Sequence, residues 1–179
     1  MRGVFDYIVK PLGDDRYSNV RSNGLIISTS LEDATTTQRL AEVVALPLEL
    51  EDNDISVGDI VVVHHNIFRR FYDIKGRISD SSHFIRDGLY YVGKEFIYMR
   101  KDGDDWKAID PFVFVSPLPN DVKLQLKVNA EKELFGIIEY SNKFETGSLV
   151  SFEPDSEYYF NIDGKRMYRM FNRNICLRA

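Results

Sequence analysis

Short apolar runs alternate with polar turns along the whole chain. The runs are rich in β-branched and aromatic residues and are separated by Gly, Asp, Asn and Pro, which is the pattern of an all-β protein built from barrels or sandwiches. The stretch 35–44 contains good helix formers, but Val43 and Val44 favour a strand, so we predict strand there. The predicted strands are residues 5–12, 24–29, 39–47, 59–65, 89–92, 96–101, 106–109, 112–118, 123–128, 135–140, 149–153, 158–162, 166–171 and 175–178.

The two halves of the chain carry the same sequence marks in the same order, which predicts an internal repeat. In each half an alternating strand ends in Pro-Leu, and a glycine turn precedes an apolar strand, at Gly58 and at Gly147. Asp-Gly, the usual signal of a two-residue hairpin, also occurs once in each aligned set. The aligned segments are residues 5–12 with 111–118, 41–44 with 135–138, 57–63 with 146–152, and 87–92 with 163–168.

The joint between the halves is predicted at the polar, turn-rich sequence 101–105. We therefore predict two domains, residues 1–105 and 106–179. The strand 106–109 either crosses from one unit to the other or pairs back on the first.

Two segments of the first domain have no long counterpart in the second. They are an excursion at residues 13–38 and an insertion at residues 68–86, which the second domain replaces with residues 120–128 and 153–158. Because the halves otherwise share one plan, we expect function to lie where they differ.

Composition narrows the class of protein. The 179 residues are 44% apolar and 13% aromatic, which is ample for packed cores. The net charge is −5 and basic residues are interspersed with acidic ones, which argues against nucleic acid as a partner. The chain has neither an apolar run near the roughly 20 residues of a membrane span nor a signal-peptide core, so we expect a soluble, cytoplasmic protein. The single cysteine, Cys176, suits a reducing compartment, and we expect it to be a buried small hydrophobe.

The excursion contains an apolar triplet at its centre. Leu25, Ile26 and Ile27 follow Asn23 and Gly24 inside an otherwise polar run. Such a triplet is either a buried strand of the first domain or a segment that is offered to another protein. Both readings stay open on the residues alone.

The order of these marks resembles the ten-kilodalton co-chaperonin family, the GroES family. An opening strand is followed by a polar loop with Gly-aliphatic-aliphatic-aliphatic, by Ala-Glu-Val-Val, by Val-Gly-Asp-Ile-Val at residues 57–61, and by a closing hairpin. Residues 4–101 carry the resemblance best, and Asn23-Gly24-Leu25-Ile26-Ile27 stands where the family has its Gly-Gly-Ile-Val-Leu mobile loop. Residues 110–179 resemble the same barrel without a mobile loop.

The resemblance implies two tandem small, irregular GroES-like β-barrels and a homo-oligomeric ring, which is seven-fold in the familiar members. In the family the ring caps a chaperonin (GroEL-like), the mobile loop binds the chaperonin's apical domains, and the cap encloses an unfolded protein substrate. The family has phage-encoded members, so a viral and a bacterial origin both fit. This sequence departs from the family at Asn23, which replaces the first loop glycine, in the short roof segment 48–55, and in the second barrel.

Several other residue groups suggest chemistry less strongly. His64 and His65 follow a strand in which neighbouring side chains would point to opposite faces, so we expect them not to share a metal, and His83 has no evident partner. The cluster Asp102, Asp104 and Asp105 lacks the spacing of a calcium loop and is predicted to be a turn. A solvated hairpin tip is the predicted role of the acidic residues Glu49, Glu51, Asp52 and Asp54.

One patch combines basic and aromatic residues, and single-stranded nucleic acid could stack on it. Its members are Arg69, Arg70, Lys75 and Arg77 with Phe68, Phe71 and Tyr72. Neither a phosphate-cradling motif nor a nucleophile elbow occurs in the sequence, so we expect no catalytic residue, no metal and no cofactor. The main hypothesis is therefore a non-enzymatic co-chaperonin that acts through residues 23–27. The alternatives are a viral structural or assembly protein and a nucleic-acid-binding barrel.

Overall fold

The computed structural model describes residues 3–13, 16, 21–22, 25–26, 37–49, 54–119 and 131–178. In this part of the chain the regular structure is strand, apart from two single-turn 3-10 helices at Lys94–Phe96 and Asn172–Asn174. The prediction of an all-β fold is confirmed. No helix among these residues has the length and apolarity that a membrane crossing requires.

The strands are numbered in chain order. They are β1 Tyr7–Pro11, β2 Arg21–Ser22, β3 Leu25–Ile26, β4 Leu40–Ala45, β5 Ile60–Val63, β6 Arg70–Tyr72, β7 Ile78–Asp80, β8 Phe84–Arg86, β9 Leu89–Val92, β10 Ile97–Asp102, β11 Asp105–Ala108, β12 Phe112–Pro119, β13 Glu131–Ser141, β14 Leu149–Phe152, β15 Tyr158–Ile162, β16 Lys165–Phe171 and β17 Ile175–Arg178. The chain divides into two compact units, Met1–Lys101 and Asp102–Ala179.

Two large antiparallel sheets share the same order of six paired strands, and within the described residues β11 of the first sheet has no counterpart in the second. The first has the order β11-β10-β5-β4-β1-β9-β8, and the second has the order β17-β14-β13-β12-β16-β15 when it is read in the same direction. Each glycine turn repeats in atomic detail: the Gly58 N–H donates to the Val43 carbonyl, and the Gly147 N–H donates to the Ile138 carbonyl, both at 2.8 Å. Positive φ angles of 92° and 85° explain glycine at the two turns.

The structure corrects the alignment of the halves in two places. Val43 and Ile138 occupy equivalent positions, so the segment aligned with residues 41–44 begins one residue later than predicted. Tyr90 and Tyr168 lie opposite equivalent positions of the central strands β1 and β12. More residues therefore separate the Asp-Gly turn from Tyr168 in the second hairpin than separate it from Tyr90 in the first. Each turn still connects the two strands at the same end of its sheet.

Both Asp-Gly pairs form the tight turns that the sequence predicts. Asp87 and Gly88 have φ angles of 52° and 73°, and Asp163 and Gly164 have angles of 51° and 77°. Two successive positive φ angles define a type I′ turn, whose twist matches that of the flanking strands. These turns connect β8 to β9 and β15 to β16.

Each unit buries its own set of aliphatic and aromatic side chains. In the first unit Val9 of β1 and Val43 of β4 are opposite each other and wholly buried. Alternation of buried and less buried positions along β4 reflects the two-residue period of a strand. One core cluster of the second unit consists of Val113, Val115, Ile138, Val150, Phe152 and Met170.

The insertion of the first unit contains strands that the sequence analysis did not predict. β6 and β7 pair with each other in a sheet of their own, and β8 joins the edge of the first large sheet. The side chains of Phe71, Tyr72 and Ile78 are exposed, so this hairpin lacks the buried alternation by which a strand is recognised. The predicted strand 123–128 lies outside the described residues.

Candidate functional site

The stem of the excursion is closed by backbone and side-chain hydrogen bonds. The Leu12 N–H donates to the Leu40 carbonyl at 2.9 Å, which continues the β1–β4 ladder by one step. Gln38 then joins the two arms, because its amide Nε2 donates to the Leu12 carbonyl at 3.0 Å and its backbone N–H donates to the Arg16 carbonyl at 2.8 Å. The side-chain oxygen of Gln38 also accepts from the Leu40 N–H at 3.1 Å. The base of the excursion is thus built into the sheet.

The apolar segment forms a small hairpin with its own pairing. Leu25 pairs with Ser22 and Ile26 pairs with Arg21, so β2 and β3 make a two-stranded antiparallel sheet. Neither strand is a member of the seven-stranded sheet. Within the described residues, Leu25–Ile26 is therefore a strand of this small sheet and not of the large one.

The remaining residues of the predicted binding segment, Asn23, Gly24 and Ile27, lie outside the described residues. Asn23 and Gly24 stand between the paired residues Ser22 and Leu25 in the sequence. Asn-Gly is the strongest short-range signal of a two-residue hairpin, and it is the signal in the sequence that predicts the pairing of Ser22 with Leu25 in place of a strand that begins at Gly24.

An ion pair fixes the first arm of the stem. Arg16 Nη1 donates to Asp80 Oδ1 of β7 and to the Tyr90 hydroxyl of β9, each at 2.5 Å. The Arg16 side chain is only 16% exposed, and Tyr90 is 1% exposed. Arg70 Nε makes a longer contact of 3.4 Å with the same Asp80 oxygen. None of these residues carries a local sequence signal for this role, since 64 positions separate Arg16 from Asp80.

The electrostatics of this cluster follow from burial and from the two arginines. Burial acts to raise the pKa of Asp80, but the hydrogen bonds and charges of Arg16 and Arg70 outweigh it and lower that pKa. For Tyr90, burial is the largest effect and raises the pKa of the hydroxyl. At neutral pH the cluster therefore holds an ionised Asp80 and a neutral Tyr90.

The three histidines differ from the prediction in their secondary structure and in their contacts. β5 ends at Val63, so His64 and His65 no longer alternate between the faces of a strand, and their rings stack with centroids 4.1 Å apart. His83 does have a partner, because its Nδ1 lies 3.1 Å from the Tyr91 carbonyl oxygen. Burial, followed by the charges of Arg39 and Arg69, lowers the pKa of His65 to about 4. No group of three or more His, Cys, Asp or Glu side chains in the described residues is arranged to hold a metal ion.

The basic and aromatic patch is partly used for folding. Phe68 is wholly buried and Arg70 contacts Asp80, whereas Phe71 and Tyr72 are exposed. The expectation for Cys176 is wrong: its side chain is exposed on β17, the edge strand of the second sheet, where a strand has a neighbour on one side only.

No protein-family model matches the chain, and no curated protein matches it either.

Proposed function

We propose that the protein is a homo-oligomeric co-chaperonin that caps a GroEL-like chaperonin through residues 23–27. The observation that carries the proposal is the placement of Leu25–Ile26 in a hairpin of its own, outside the large sheet, on a stem that is hydrogen-bonded to that sheet. A binding segment needs this combination, because its apolar residues must reach a partner while the attachment point stays fixed. The chain then requires no catalytic residue, since nucleotide hydrolysis belongs to the chaperonin.

The energetics of such a segment favour a ring of weak sites. Burying one Leu or Ile side chain contributes about 1.5–3 kcal/mol, so Leu25, Ile26 and Ile27 offer roughly 4–9 kcal/mol before costs. Ordering a flexible segment costs about 1–2 kcal/mol per residue, which offsets most of that gain. Several linked copies raise the overall affinity by a factor of about 10²–10⁴. Weak individual sites still allow release, which a cycling lid needs.

The hairpin reduces part of the ordering cost. Arg21 pairs with Ile26 and Ser22 pairs with Leu25, and the arms of the stem are tied together at Gln38. A segment that is partly ordered before binding loses less conformational entropy when it binds.

In this proposal the two units are tandem GroES-like barrels, and only the first recruits the chaperonin. Their matching order of strands supports a common plan, and the connection at residues 120–130 of the second unit is much shorter than the excursion of the first. The ring encloses an unfolded protein as substrate.

The test is capture of the full-length protein by a bacterial chaperonin with nucleotide, for wild type and for the triple variant Leu25→Ser, Ile26→Ser, Ile27→Ser. The matched control removes apolar side chains that are more than half exposed elsewhere in the first unit, Val57→Ser, Ile74→Ser and Ile78→Ser. We expect nucleotide-dependent capture of wild type and of the control, but not of the triple variant. Equal capture of all three, or of none, would count against the proposal, and an oligomer that ignores the chaperonin would favour a structural or assembly role.

A further inference from the structure

The two segments that distinguish the first unit from the second are joined through Arg16 and Asp80. The excursion connects β1 to β4, and most of the insertion lies between β5 and β8. In the second unit the corresponding connections are residues 120–130 and residues 153–157, which are much shorter. Arg16 of the excursion and Asp80 of the insertion form the ion pair at 2.5 Å. The repeat within the chain therefore acts as an internal comparison: the unit with the hairpin segment is also the unit with the insertion.

The base of the insertion, next to the point where Arg16 contacts it, is packed into the first unit. Ile67 and Phe68, at its start, are wholly buried, and the Ser81 hydroxyl closes its base by donating to the Ile67 carbonyl at 2.6 Å. The rings of Phe68 and Tyr90 pack edge to face with centroids 4.9 Å apart. Asp80 immediately precedes Ser81, so its carboxylate is held at a fixed point and not on the exposed tip of the hairpin.

Arg16 in turn connects that fixed point to both arms of the stem. Its guanidinium contacts Asp80 and Tyr90, while its backbone carbonyl accepts the Gln38 N–H from the second arm. Gln38 also donates to the Leu12 carbonyl on the first arm. Releasing the guanidinium would loosen the residue to which the second arm is hydrogen-bonded.

We propose that Arg16 and Asp80 form a clamp through which the insertion positions the partner-binding hairpin. Arg16 is a positioning residue: it lies in the stem, and it acts on Leu25–Ile26 by fixing where the hairpin leaves the sheet. This inference rests on the proposed function only for the identity of the partner. The clamp itself is a property of the protein alone.

The first test needs no partner. Amide hydrogen exchange is measured at Leu12 and Gln38, whose N–H groups are bonded in the stem. We expect Arg16→Gln and Asp80→Asn each to speed exchange there by about tenfold or more, because each removes one of the two opposite charges that strengthen the hydrogen bond between them. Arg16→Lys, which keeps the charge, should restore part of the protection.

The matched control is the Lys10–Glu42 pair on the neighbouring strands β1 and β4. Its charged atoms lie 3.1 Å apart and both side chains are more than a third exposed. Glu42→Gln should leave stem exchange within about twofold of wild type, since exposed pairs stabilise little. The double variant Arg16→Gln with Asp80→Asn should be no faster in exchange than the faster single variant, because the two residues act through one contact.

The second test measures nucleotide-dependent binding to a bacterial chaperonin. The clamp predicts at least about tenfold weaker binding of Arg16→Gln and Asp80→Asn, partial rescue by Arg16→Lys, and unchanged binding of Glu42→Gln. Amides of β4 and β5 serve as the reference for an intact first sheet. Faster stem exchange without any chaperonin binding would retain the clamp and remove the co-chaperonin function. Chaperonin binding with unchanged stem exchange in both clamp variants would remove the clamp and retain the function.

Discussion

Adding one methyl group at Gly136 should destabilise the second unit. Gly136 lies on β13 opposite Pro117 of β12. A Cβ atom there would lie 2.3 Å from Val115 Cγ1 and 2.6 Å from the Ser116 carbonyl oxygen. Val115 is wholly buried and β-branched, and the second obstacle is backbone, so neither can move aside easily. The close approach of the two strands therefore requires glycine.

The magnitude follows from two opposed effects. Forcing an extra carbon into a packed site costs about 1–3 kcal/mol. Replacing glycine by alanine also restricts the unfolded chain, which returns about 0.4–1 kcal/mol. We expect Gly136→Ala to lower the free energy of unfolding by about 1–2 kcal/mol, equivalent to a loss of roughly 5–15 °C in Tm for a unit of this size.

The single tryptophan supplies the assay. Trp106 belongs to the second unit, is 5% exposed, and donates from Nε1 to Asp163 Oδ2 at 2.9 Å. Its fluorescence during urea titration therefore follows the loss of this buried contact with Asp163. Gly136→Ala should shift the midpoint to lower urea with little change in slope, which indicates a change in stability and not in the surface exposed.

The control is Gly93→Ala, and both variants are also compared by circular dichroism in urea, because Gly93 belongs to the first unit and Trp106 to the second. A Cβ at Gly93 would meet the carboxylate of Glu95 at 2.5 Å, but that group is the far end of a flexible, exposed side chain and can swing away. We expect this variant to stay within about 0.5 kcal/mol of wild type. A Gly136→Ala variant as stable as Gly93→Ala, or more stable than wild type, would refute the close packing of β12 on β13.

Other predictions concern pH, the buried indole and one turn. The pKa of His65 is about 4 in the folded state, below its unfolded value near 6.5. The contribution of His65 to stability is therefore present above pH 6.5 and is lost as the pH falls toward 4. Thermal melts of His65→Gln should show a flatter dependence of Tm on pH over that window. Trp106→Phe removes the hydrogen bond to Asp163 and should lower the free energy of unfolding by about 1 kcal/mol, measured by circular dichroism in urea. Gly164→Ala, at a φ of 77°, should cost about 1–2 kcal/mol in the same titration, and a neutral result would contradict the type I′ turn.

The sequence predicted those parts of the fold that are determined by residues close together in the chain. The Asp-Gly pairs at residues 87–88 and 163–164 predicted two hairpins, because few other residues tolerate two positive φ angles in succession. Residues 5–12 aligned with residues 111–118 without a shift, since β1 and β12 occupy the same place between their neighbours.

The remaining features depend on long-range contacts or on exposed strands. The pairing of Arg16 with Asp80 bridges 64 positions, and nothing near either residue marks it. The insertion strands escaped prediction because Tyr72 and Ile78 face solvent, so their apolar side chains do not alternate with buried ones. His64 and His65 were assigned to a strand that in fact ends at Val63, where the stretch of β-branched residues stops.

In the candidate site, too, neighbouring residues predicted some features, and others depend on long-range contacts. The apolar residues Leu25 and Ile26 stood out in a polar segment, and their sequence alone selected them as candidates. Their pairing with Ser22 and Arg21 could have been predicted from Asn23-Gly24. The clamp that ties their stem to the insertion could not, because it depends on how two distant connections meet.

The most direct test of the central claim is the native mass of the full-length protein, alone and mixed with a bacterial chaperonin and nucleotide. We expect a closed ring that adds to the chaperonin as a single unit, and we expect the Leu25→Ser, Ile26→Ser, Ile27→Ser variant to form the ring but to stay free. A monomer, or a ring whose mass is unchanged by the chaperonin with the wild-type triplet intact, would contradict the account.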